Sequence, residues 1–193
     1  MSTTSPRLLW ALAFLGTATA ATATPDLDAL IATTHSKCGY EVSAIRQHIQ
    51  NGRSESVGTA GLKIDYAVGW QQGGKRIEGA LTFNCGGASA LPPDPTAPVA
   101  SPKELIAEED AGGRYSRHVA WQKPVKAAHW SPQVAYVDYS FGDGQRTRSN
   151  DFLICDGQVA IPCISLSITK PEKLSADEMA SVLSKIASID ALR

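Results

Sequence analysis

Apolar positions recur at helical spacing early in the chain: Leu27, Leu30, Ile31, Thr34, Cys38, Val42, Ile45 and Ile49. Thr24-Pro25 reads as an N-cap followed by proline at the first helical position, and Asn51-Gly52 as the stop. The pattern predicts helix across this stretch, with Gly39 as a point where it can divide in two. From Leu62 the period becomes two. Leu62, Ile64, Tyr66, Val68 and Trp70 alternate with smaller or polar residues, Gln71 to Gly74 is turn material, and Ile77 to Cys85 returns. A hairpin with one buried face is expected.

Residues 86 to 102, GGASALPPDPTAPVASP, break the periodicity; proline and small residues there predict a Pro/Ala-rich surface loop. Ser101 to Glu104 reads as a capping box opening a short helix to about Asp110. Strand-like, aromatic-rich runs follow at Tyr115 to Lys123 and Gln133 to Phe141, then strands near Thr147 to Cys155 and Cys163 to Thr169. The last element has the fullest signature. Ser175 caps, Glu178 sits at N3, Leu174 and Met179 form a staple, and Val182, Leu183, Ile186 and Ile189 line one face. The order predicts an α+β fold: an antiparallel β-sheet with N-terminal and C-terminal helices packed on one face.

The first residues change the picture of where the chain resides. Arg7, an apolar run from Leu8 to Gly16 and two small-x-small sites ending at Ala20 and Ala23 make a secretory signal peptide over residues 1–23. The run is roughly half the ~20 residues that span a bilayer, and no membrane span is expected. Cleavage near Ala20 or Ala23 leaves one domain, 24–193, in the periplasm or outside the cell. Its formal charge is near −2, from 17 Lys plus Arg against 19 Asp plus Glu once Arg7 is removed. Such a balance argues against a general nucleic-acid binder.

An even cysteine count in an exported chain reads as disulfides: Cys38, Cys85, Cys155 and Cys163. Zinc sites use closely spaced C-x₂₋₄-C pairs, which the chain lacks. A tight hairpin at Asp156-Gly157 would hold the sulfurs of Cys155 and Cys163 roughly 16 Å apart, too far to bond. A wider loop from Asp156 to Pro162 sets them opposite each other, and Pro162 suits that version. The preferred pairing is Cys38–Cys85 with Cys155–Cys163, the crossed pairings remaining open.

Candidate chemistry is sparse. His35 and His48 are 13 positions apart, and no H-x-x-x-H pair or G-x-S-x-G elbow is present. Calcium-loop and phosphate-loop patterns are missing too, so no metal, cofactor or catalytic residue is assigned. Asp138, on a predicted strand, with His118 and His129 would be the first groups to examine for hydrolysis. The clearest local anomaly is Arg146 and Arg148, alternating after a turn that holds Asp143, with Tyr139 and Trp130 near in sequence. Arginine and aromatic residues are enriched at binding hot spots. Three functions are compatible with this. The favoured one is an exported, non-catalytic binding protein, an inhibitor or immunity protein that neutralises a toxin or envelope enzyme. The others are an envelope assembly accessory tethered through 86–102, and a cell-wall hydrolase.

Overall fold

The computed structural model describes residues 26–86, 115–141, 150–155, 163–170 and 172–192. Helix α1 (Leu27–Thr33) starts at Asp26, whose side chain accepts from the Asp28 N–H at 3.0 Å. A π-helical turn, Thr34–Cys38, continues it. The helix ends at Gly39, which takes φ 73°, a left-handed conformation that glycine adopts without Cβ strain. Beyond it lie a short strand β1 (Tyr40–Glu41) and a 3₁₀ segment, Ser43–His48.

The predicted helix is therefore corrected from Gly39 onward. Its apolar positions Val42, Ile45 and Ile49 are buried, but in a 3₁₀ turn and a strand. That strand, β2 (Ile49–Val57), begins where Asn51-Gly52 suggested a stop. Gly52 serves packing rather than termination. A Cβ there would stand 2.5 Å from Leu30 and 2.7 Å from the Tyr66 ring, so only glycine lets α1 approach the strand.

β2 pairs with β3 (Gly61–Gln72), and the Gly73-Gly74 turn leads to β4 (Lys75–Cys85). β5 (Tyr115–Pro124), β6 (Gln133–Phe141) and β7 (Asn150–Cys155) form a second meander. β8 (Ile164–Ile168) lies between the two, antiparallel to β4 and to β7. The result is a seven-stranded antiparallel sheet of order β2-β3-β4-β8-β7-β6-β5. Helix α2 (Ala176–Ala187) follows, then β9 (Asp190–Ala191), which pairs with β1. The fold is mostly antiparallel sheet with a few short helices, α+β in the broad sense. The capping box at Ser175 and Glu178 is present.

Period-two alternation in β3, β4, β8 and β7 puts Ile64, Tyr66, Leu81, Phe83, Leu166 and Phe152 into one core. Polar anchors tie other elements to it. Thr34 Oγ1 and Tyr66 Oη hydrogen-bond at 2.5 Å, and Trp70 Nε1 donates to Ser181 Oγ at 2.8 Å. Two disulfides complete the frame. Cys38–Cys85 joins the π-helical turn to the end of β4, with Cα atoms 4.7 Å apart. Cys155–Cys163 joins the end of β7 to the residue before β8, with Cα atoms 4.4 Å apart. The expected 86–102 loop and the helix from Pro102 to Asp110 lie, apart from Gly86, outside the described residues, as does the leader.

Candidate functional site

A polar cleft of about 450 Å³ opens where the start of β4, the end of β8 and the first turn of α2 meet. Lys75, Arg76 and Glu78 come from β4, Thr169, Lys170 and Glu172 from the segment after β8, and Glu178 from α2. Three cations face three carboxylates. Asn150, fully buried, fixes one wall: its Nδ2 donates to the carbonyls of Lys170 at 2.6 Å and Glu172 at 2.9 Å. Its Oδ1 in turn accepts from Tyr136 Oη at 2.7 Å, so the amide is satisfied on both sides.

Glu178 is the most constrained group in the cleft. It is 5% exposed, yet Lys170 Nζ donates to its two oxygens at 2.8 and 2.6 Å. The Ser175 N–H adds a third bond at 2.8 Å. Those donors, Lys170 first, outweigh burial and hold its pKa at about 2. Glu178 is therefore an anion throughout the physiological range, an acceptor and not a proton donor. Arg76 Nε pairs with Glu78 at 2.5 Å. Lys75 and Glu172 make no ion pair with any described residue.

A second cluster lies at the β1–β9 ribbon, where Glu41 stands opposite Asp190. Asp190 accepts from the His129 N–H at 3.0 Å and bonds to His129 Nδ1. The hydrogen bond from His129 is the main reason its carboxyl titrates below the ordinary value. This leaves Nε2 of a largely exposed ring without a bond to any described residue, as in a histidine base. Among the described residues no hydroxyl or thiol bonds to that ring, and neither residue lines the polar cleft. On the other side of the ribbon, Glu41 accepts from the Ser43 N–H at 2.7 Å and lies 3.9 Å from His35.

The residues singled out in sequence fall in different places. Trp130 is 3% exposed and belongs to the core, not to a surface. Its Nε1 donates to the Ile189 carbonyl at 2.8 Å and its ring lies 5.6 Å from Tyr40, so the indole is fully used inside the fold. Tyr139 lies in β6 opposite Arg117 of β5. Arg146, Arg148 and Asp143 lie outside the described residues. The β5–β6 register sets His118 directly opposite Asp138, while His129 stands apart with Asp190. The cleft residues had no sequence signal beyond the α2 capping box, because they come together from segments about a hundred positions apart.

Among the described residues no group of three or more histidine, cysteine or acidic side chains is placed to hold a metal ion, and no helix is long and apolar enough to cross a membrane. No protein-family model matches the chain, and neither a curated protein nor a solved structure matches it.

Proposed function

We propose that this protein is an exported binding protein that neutralises a toxin or an envelope enzyme by protein–protein contact, with the polar cleft as part of its recognition surface. The observation that carries the reading is the state of Glu178, the buried carboxylate of the cleft. A general acid or base works best with a pKa near the operating pH, and Glu178, at about 2 under Lys170, is far from it. Fixed, paired charges suit recognition: they set which partner fits and in what orientation. Lys75 and Glu172 then supply the free charges at the rim.

Two disulfides agree with an oxidising compartment, where a small rigid domain loses little entropy on binding. On this reading the N- and C-terminal helices form a layer on one face of the sheet. The other face, with Asp65, Thr82, Ser165 and Ser167, is left for contact.

The test is capture from an envelope extract with the immobilised mature protein, followed by identification of what is retained. Wild type should retain a defined toxin or hydrolase and inhibit it. Lys75→Glu with Glu172→Lys should lose it while melting at the same temperature. Retention of no partner by the wild type would refute the proposal. The His129–Asp190 pair favours a wall hydrolase as the second reading. Wall-degrading activity that disappears in His129→Ala would establish that reading instead.

A further inference from the structure

β2 is an edge of the large sheet. Along it only Ile49 is buried, and residues 53 to 57 are all exposed. Edge strands present a row of free N–H and C=O groups, which proteins blunt with charged side chains, lysine above all, with proline or with a bulge. Between Asn51 and Val57, NGRSESV, β2 has neither lysine nor proline, its irregularity lies before Asn51, and its two charges, Arg53 and Glu55, are of opposite sign. The opposite edge, β5, is guarded by a bulge at Val119/Trp121, by Lys123 and by Pro124.

The exposed edge is complementary to itself. A second copy, related by a twofold axis normal to the sheet, would pair antiparallel with its own β2 and keep each face in register. Centring the axis on Ser54 sets Arg53 opposite Glu55 of the second copy, twice by symmetry. Both side chains lie on the face of the sheet shared by Lys63 and Asp65, their partners on β3. Arg53 is 75% exposed, and Glu55 makes no ion pair with any described residue. The remaining pairs, Ser54 with Ser54, Gly52 with Ser56 and Asn51 with Val57, are small or uncharged enough to pack. They also cover Val57, one of two exposed large apolar side chains among the described residues.

The neighbouring registers fail. Centring on Arg53 opposes two arginines, and centring on Glu55 opposes two glutamates. Charge thus selects one pairing. Turning Arg53 toward the second copy leaves Asp65 satisfied, because Lys63 at 3.3 Å and Thr82 at 2.7 Å still hold it. We infer that the chain forms a twofold homodimer through β2–β2 pairing centred on Ser54, joining two seven-stranded sheets into one. This goes beyond the binding reading and does not depend on it.

Sedimentation equilibrium on the oxidised mature protein tests this. Wild type should dimerise, and more weakly as salt is raised to 1 M. Arg53→Glu and Glu55→Arg should each weaken the dimer about tenfold or more, since each opposes like charges twice. The two single variants mixed in equal amounts should form a heterodimer, since every cross-strand pair is then attractive. That step also separates repulsion from misfolding. A wild type that stays monomeric at every concentration overturns the proposal. So does a dimer that neither substitution weakens, or two monomeric variants that fail to associate when mixed.

Discussion

At one border of the sheet β2 offers polar side chains to solvent and a single buried residue, Ile49. At the other, β5 brings Trp121 onto the core. Its ring stacks 5.7 Å from Tyr136, which lies 5.2 Å from Phe152, and Lys123 Nζ sits 4.8 Å from the centre of the Trp121 ring. β5 is held by aromatic packing, β2 by its backbone pairing with β3. The helix beside β2 is secured differently again, by the Cys38–Cys85 bond to β4. Equal strand count on either side of β8 therefore hides two kinds of edge: each side carries a disulfide, one reaching back to the helix and one closing the β7–β8 connection, but only β5 adds aromatic packing at the border itself.

The sharpest way to break that contrast is to cut the bridges. Replacing Cys38 and Cys85 by serine opens a link across 47 positions and should cost about 4 kcal/mol in urea unfolding. The same change at Cys155 and Cys163, across 8 positions, should cost about 2.5 kcal/mol. Hydrogen exchange should show the first variant opening on the β2 side. On the β5 side, Trp121→Ala should cost about 3 kcal/mol and leave exchange in β2 unchanged. Gly52→Ala should cost about 2 kcal/mol, because its methyl meets Leu30 and Tyr66; denaturant midpoints will show it.

Acid sharpens the comparison between the cleft and both edges. Glu178 titrates near 2 when folded, against an ordinary 4.5. Its contribution is complete above pH 4.5 and is lost as pH falls toward 2. Glu178→Gln should lower stability by about 1 kcal/mol at pH 7 and flatten this part of the acid profile, as melts at pH 7, 4 and 3 will reveal. Smallest of all, Val57→Thr should change the stability of the monomer by less than ~0.5 kcal/mol, since the side chain is 52% exposed in the single chain.

Alternation made β3 and β4 legible from residues alone, and the Ser175-to-Glu178 spacing did the same for α2. Both signals are local, and tertiary packing only reinforces them. β2 had no such signal. Its polar run lacks an apolar face because its partner is a backbone and not a core. The helical period beyond Gly39 misled for the opposite reason: Val42, Ile45 and Ile49 are buried, but a 3₁₀ turn and a strand can also bury residues spaced three or four apart. Trp130 looked like a surface aromatic beside His129, and only the distant Ile189 carbonyl explains why it is inside. The cleft was invisible for a similar reason, since Glu78 and Glu178 meet only once β8 lies beside β4.

The pairing of residues 40–41 with 190–191 has a mechanical consequence. Traction on the two ends of the chain would unzip this ribbon one hydrogen bond at a time, at low force. Load entering from the N-terminal side would then pass through the sulfur link at Cys38 straight into β4, bypassing residues 39 to 84. The β2–β3 hairpin would stay slack while its neighbours were stretched.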